Sequence, residues 1–214
     1  MHSSTVFDTV NPEILSYLRE SVIPQYGSFD KGHRQDHAES VLATALELSS
    51  HYDVDIDMVA VAAACHDLGL SVDRKTHHLE SGRIIRGDET LRKWFDESRI
   101  ETIAQAAEDH RASSSSEPRS IYGRIIAEAD RQIDPLTVIR RTIQFGLKNY
   151  PELDKEGHWQ RMLDHLAEKY AEGGYLKLWI PESDNAIKLE ELRRLINDRE
   201  ALRNVFDSVF REDL

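Results

Sequence analysis

Residues 64–70 read ACHDLGL, with a histidine and an aspartate side by side at the end of an apolar run. An acid near a helix C-terminus opposes the helix dipole, so Asp67 in that place needs a compensating positive charge. Other polar residues sit as awkwardly on otherwise helical stretches: His33, His37, His66, His77, His78, His110 and Asp130. A single histidine on a helix is more often surface or satisfied core than a ligand, so only a convergence of several carries chemistry. A divalent metal is the most economical shared partner for imidazole nitrogens and carboxylate oxygens, and one ion takes about three to six such donors. His33 and His37 are four residues apart and share one helix face. His66 and Asp67 fall at a helix end, where adjacent side chains converge better than in mid-helix. Asp130 closes IIAEAD, an apolar stretch that has no other reason to bury a carboxylate.

Helices have to position these groups, because helical signals dominate almost everywhere. Asn11-Pro12 is a cap and first-turn pair, opening a segment that ends near Pro24 and Gly27. Residues 33–51 carry Val41, Leu42, Ala45, Leu46 and Leu48 at helical spacing, and residues 56–68 are apolar on nearly every side, which predicts deep burial before Gly69 stops the helix. A third helix is expected from His77 to Arg86. Ser98 and Glu101 have capping-box spacing for a helix leading to His110, and SSSSEP at 113–118 reads as a polar flap or connector. IYGRIIAEADRQ, the segment after Asp134-Pro135, residues 157–173, LEELRRLI and REALRNVFDSVF are further helices. Only YLKLWIP, near 175–181, reads as a short strand or irregular arm. No repeat or Pro/Gly-rich linker interrupts the chain, so the expected architecture is all-α, a single domain spanning 1–214.

At 214 residues with 40% apolar content the chain supports a sizeable core. Its net charge, 27 basic minus 39 acidic residues or −12, disfavours a nucleic-acid polymer as partner, while leaving room for a small phosphate ligand held by a few local cations. Cys65 is the only cysteine, which excludes a disulfide within the chain and a cysteine-rich zinc site. The opening MHSSTVFDTVNPE lacks the apolar core of a signal peptide, and no stretch reaches the roughly 18 apolar residues of a membrane span. A cytoplasmic setting is therefore expected. Oligomeric state is left open, a homodimer included.

His37, then His66-Asp67, then Asp130, on successive helices, resembles the HD superfamily of metal-dependent phosphohydrolases. DKGHRQDHAESVL is similar to that family's first-helix histidine segment, AAACHDLG to its signature dyad, and IIAEADR to its closing aspartate. IAQAAEDHR resembles the helix before that aspartate. The likeness covers residues 30 to about 135, the HD core. From 136 to 214 only NDREALRNVFDSVF is similar, to one bacterial branch of uncharacterised members, and the rest reads as a helical extension. The resemblance implies His37, His66, Asp67 and Asp130 as the ligands of a primary ion, with Asp67 bridging in members that hold two. His77 and His110 match positions that bind a second ion. His77 fits better than His78, because the family places its histidine four residues before a small residue, here Ser81. Two departures stand out. HDLGLSVD lacks the acidic pair that guanosine-tetraphosphate hydrolases of this superfamily carry after the dyad, and Ser40 replaces an arginine common three residues after the first histidine.

The implied chemistry is hydrolysis of a phosphate ester or anhydride of a small phosphorylated metabolite, a nucleotide among the options, by water that the ion makes acidic. Mn, Co, Ni, Zn, Fe or Mg are the candidate ions, with one tightly held ion expected and His77 and His110 lining the substrate side. Arg34, Lys75, Arg111 and Arg131 lie near the ligands in sequence and are the expected phosphate contacts, with His110 as a further donor to phosphate. His33 or Glu128 is the expected general acid. Two other classes compete: a di-iron oxygenase, which the extra histidines allow, and a sensor module whose metal site does no catalysis.

Overall fold

A computed structural model of the chain describes residues 6–29, 35–114 and 116–212. Among the described residues there are ten α-helices, joined by short 3-10 and π turns, and no strand. The chain forms two compact units. The first is Met1–Arg131 with Trp179–Ser183, and the second is Gln132–Leu178 with Asp184–Leu214.

In the first unit α1 (Pro12–Tyr17) starts where the Asn11 side chain accepts from the Glu13 amide, with Pro12 needing no partner in the first turn. The chain continues through a π turn at Leu18–Val22 and a 3-10 turn at Ile23–Ser28. Helix α2 (Gln35–Ser49) buries His37 on the stripe that carries Ala38, Val41, Leu42 and Ala45. Helix α3 (Ile56–Cys65) is capped by Asp55, whose side chain accepts from the Asp57 and Met58 amides, and every residue from Met58 to Cys65 is buried. Its run of alanines lets α2, α5 (Glu97–Glu108) and α6 (Ile121–Asp130) close around it, while α4 (His77–Gly87) lies on α5. A helix that is apolar all round thus becomes the axis of the unit, and its exit carries the His-Asp pair.

The expected capping box at Ser98 and Glu101 is not the device used. Asp96 is the cap, accepting from the Arg99 amide, and Glu101 turns instead to the Arg86 guanidinium on α4, at 2.7 and 2.9 Å. In the second unit α7 (Pro135–Asn149) and α8 (Lys155–Lys169) are capped by Asp134 and Asp154 and pack on each other. Helices α9 (Asn185–Asn197) and α10 (Arg199–Glu212) complete that unit, with Phe206 buried between Trp159 and Phe210. The 176–180 stretch is irregular and joins no sheet. None of the described helices is long and apolar enough to cross a membrane.

Candidate metal centre

The His-Asp pair falls where the chain leaves α3. His66 still has helical angles, whereas Asp67 has turned to φ −110° and ψ 8° before a 3-10 turn at Leu68–Ser71. That change of backbone direction lets two adjacent side chains face one point, which mid-helix geometry forbids. Around them are His37 from α2, His77 from the first turn of α4, His110 from the turn after α5, and Asp130 from the last residue of α6.

The donors sort into two sets that share Asp67. On one side, His66 Nε2 lies 3.3 Å from Asp67 Oδ2 and 3.7 Å from Asp130 Oδ1, and His37 Nε2 lies 3.3 Å from Asp130 Oδ1 and 3.8 Å from Asp67 Oδ2. On the other, Asp67 Oδ1 is 3.4 Å from His77 Nε2 and 3.3 Å from His110 Nε2. His37, His66 and Asp67 could hold one metal ion and Asp67, His77 and His110 another, with Asp130 against both histidines of the first group. Asp67 offers one oxygen to each.

Three of the histidines are prepared in the same way. The Nδ1 atoms of His66, His77 and His110 sit 2.8, 2.8 and 2.5 Å from the carbonyl oxygens of Ala63, Arg74 and Ala107, each three residues earlier. A carbonyl oxygen only accepts, so Nδ1 carries a proton in each, and Nε2, whose lone pair is free whenever the ring is neutral, faces the centre. His66 Nε2 is buried with no hydrogen bond of its own. His77 and His110 bring their Nε2 atoms within 3.2 Å of each other, where two lone pairs repel unless a cation lies between them. The residues present therefore fit a divalent ion in each set. His77, not His78, faces Asp67, while His78 belongs to neither set. His77 and His110, expected on the substrate side, both converge on Asp67 Oδ1.

The electrostatics match. Burial disfavours a charged His66, yet Asp67 and Asp130 outweigh it and raise its pKa well above the usual histidine value. Burial would also raise Asp67, but His66 and His110 hold it well below the usual carboxylate range, and His37 and His66 do the same for Asp130. His77 shifts down, through burial and the neighbouring His110. His78 is pushed down to about 4 by burial and by Arg111. A raised His66 means that an ion entering this set displaces a proton, so metal affinity should fall as pH drops through the His66 pKa. Calorimetry of metal binding near neutral pH, in two buffers of different ionisation heat, is expected to show about one proton released at that set. Identical heats in both buffers would mean that the imidazole enters the reaction already neutral.

Tyr26 holds the turn from behind, and nothing in its sequence context announced it. Its fully buried hydroxyl donates to the Ala64 carbonyl at 2.9 Å and accepts from the Asp67 amide at 3.2 Å, tying both sides of His66. Tyr26→Phe should cost roughly 1–3 kcal/mol, the penalty for stranding buried backbone groups. It should also loosen metal binding by about 10–100-fold, as loss of an outer partner does. Denaturant unfolding and metal titration of the same preparation check both. The second set is aligned by ion pairs: Arg86 on α4 reaches Glu101 and Glu108 on α5, and Arg119 binds Glu108 and Asp109 beside His110.

The remaining expected site residues divide. His33 and Arg34 lie outside the described residues. Lys75 is exposed on the loop before His77, and Arg111 Nη1 donates to its carbonyl at 2.6 Å, so both stand at the rim of the second set. Arg131 is buried and donates to the Ala127 carbonyl at the end of its own helix. Glu128, the other expected general acid, is engaged elsewhere. It is fully buried, and its carboxylate accepts from the Trp179 and Ile180 amides and the Ser183 hydroxyl.

Residues 34–132 match the HD domain family. A crystal structure of a predicted HD superfamily hydrolase from an uncultured Thermotogales bacterium is similar over 78% of this chain and 92% of its own, with a TM-score of 0.51 and 21% sequence identity. At that identity the likeness bears on the fold. Among the curated proteins, none matches the chain.

Proposed function

We propose that this chain, an HD-domain protein over residues 34–132, is a metal-dependent phosphohydrolase with two divalent ions on the donor sets joined by Asp67. Its substrate is a small phosphate ester or anhydride, nucleotides included. The observation that carries this reading is the division of Asp67, with Oδ2 toward His66 and His37 and Oδ1 toward His77 and His110. Four imidazoles against two carboxylates favour Mn, Fe, Co, Ni or Zn over Mg, which prefers oxygen. When bound, such ions supply a water acidic enough to attack phosphorus near neutral pH and positive charge against the phosphoryl oxygens.

The chain's own residues do the rest. Asp67, His66 and His110 are sealed in, with side-chain exposures of 3%, 0% and 3%, whereas Asp130 and His77 are 25% and 16% exposed. Substrate therefore enters over Asp130 and His77, and an open side is what separates catalytic metal sites from closed structural ones. That favours an enzyme over a sensor module. At this rim the Lys75 ammonium and Arg111 guanidinium offer cations to phosphate oxygens outside the donor sets, and the Arg111 bond to the Lys75 carbonyl orders the loop that ends in His77. A chain of net charge −12 needs such local cations to hold an anion.

The test is a panel of phosphomonoesters, nucleotides and pyrophosphates, assayed after chelation and after return of Mn²⁺, Co²⁺ or Mg²⁺. Ion-dependent release of phosphate is expected. Inactivity throughout at micromolar enzyme would overturn the reading. The same pair of sets suits two irons in an oxygenase, and metal analysis of protein purified without added ions separates the two: two irons with dioxygen uptake would favour the oxygenase.

A further inference from the structure

Glu128 sits in the last turn of α6, two residues before Asp130, and is fully buried between Ala127 and Ala129. Its Oε2 accepts from the Trp179 amide at 2.6 Å and the Ile180 amide at 3.3 Å, and its Oε1 accepts from Ser183 Oγ at 2.5 Å. These donors come from Trp179–Ser183, a segment that returns to the first unit from 48 residues beyond Arg131 in the chain (179 − 131). Ile180, 2% exposed, belongs to that unit's core, and Tyr52 fastens the same segment by donating to Glu182 Oε2 at 2.6 Å. A carboxylate without water is costly unless several donors meet it, and here three do.

Successive helix residues turn by about 100°, so positions 128 and 130 project about 200° apart. The clasp therefore grips the back of the turn whose front carries Asp130. We infer that Glu128 is a positioning residue: its clasp on Trp179–Ser183 sets the rotation of the last turn of α6, so that Asp130 meets His37 and His66. A segment from the C-terminal third thereby becomes part of the support of the metal centre. This inference rests on the reading of His37, His66, Asp67 and Asp130 as ligands.

The test uses the full chain and Co²⁺, whose visible absorption reports the geometry of its ligands. In Glu128→Gln the amide keeps the shape and its oxygen can still accept from the Trp179 and Ile180 amides, but the negative charge is lost and an NH₂ takes the place of the oxygen that accepts from Ser183 Oγ. Co²⁺ affinity is expected to fall by about 10–100-fold, as for other outer supports of ligands, with a changed spectrum. Ser183→Ala removes one bond and should shift both in the same direction by less. Tyr52→Phe, which loosens the segment at exposed Glu182 and not at Glu128, should leave affinity and spectrum as in the wild type. Spectra are taken where circular dichroism shows each variant folded, so loss of stability alone moves nothing. Wild-type affinity and spectrum in folded Glu128→Gln would overturn the inference, and if that variant does not fold, the same result in Ser183→Ala does so. A wild-type chain that binds no Co²⁺ would overturn the ligand reading itself.

Discussion

Asp67→Ala is expected to abolish hydrolysis, to remove one ion and to weaken the other sharply, while the protein keeps its helices. Among the described residues, no other side chain belongs to both donor sets. Without it the second set keeps only two neutral imidazoles, His77 and His110, and the first keeps His37, His66 and Asp130 with a single negative charge. Neutral ligands compete poorly with water for a divalent ion, so the second ion should be lost outright. The first should weaken by more than about 100-fold, beyond what loss of an outer partner costs. The fold should survive because the Asp67 side chain caps no helix, and the turn is held through its backbone by Tyr26. Titration of metal-free protein checks this: two bound ions in the wild type, one in His110→Ala, and at most one weak ion in Asp67→Ala. Full occupancy in Asp67→Ala, or in His66→Ala, would end the assignment. A single ion in the wild type, indifferent to His110→Ala, would restore the mononuclear expectation.

The candidate ligands are legible because each breaks a local rule. His66 and Asp67 end a helix that is otherwise pure core, and Asp130 ends an apolar one, so each looks out of place on its own helix. What the sequence hides is anything whose partner is distant. Tyr26, in a turn between helices, looks like another core aromatic, and its use depends on a hydroxyl docking against residues 38 and 41 positions away. The surroundings of Glu128 are hidden for the complementary reason. A buried acid beside a ligand resembles a catalytic group until the arm bearing its donors, 51 to 55 residues later, is folded against it. That arm shows neither period, so its sequence gives no hint of a task. At Ser98 and Glu101 the local signal was present and lost: Asp96 offered an earlier cap, and Arg86 offered Glu101 a bidentate partner. The division of Asp67 between two sets follows from a single dihedral change at the end of α3, which residue types alone do not encode.

Gly69→Ala should separate the two donor sets. Gly69 lies in the 3-10 turn after Asp67, and its amide donates to Ser81 Oγ at 2.9 Å, so the start of α4 rests directly on this turn. A methyl group there would overlap the His77 carbonyl oxygen and stand 2.7 Å from the Ser81 amide nitrogen and 2.8 Å from Glu80 Cβ. Two of these three neighbours are backbone and cannot swing aside, so the first turn of α4 must move. Forcing an extra carbon into a packed site typically costs about 1–3 kcal/mol, and a backbone obstacle belongs at the upper end of that range. The displacement falls on His77, whose Nε2 must stay near Asp67 Oδ1 and His110 Nε2. His37 and Asp130 are carried by α2 and α6, and the three atoms nearest the added methyl all belong to α4, so their set should persist. The expected variant melts lower, binds one ion in place of two, and hydrolyses phosphate far more slowly. Calorimetric stoichiometry with thermal unfolding tests it: two ions and an unchanged melting temperature would mean that α4 can give way at no cost. Loss of both ions in a folded protein would mean that the turn, and not α4 alone, has shifted.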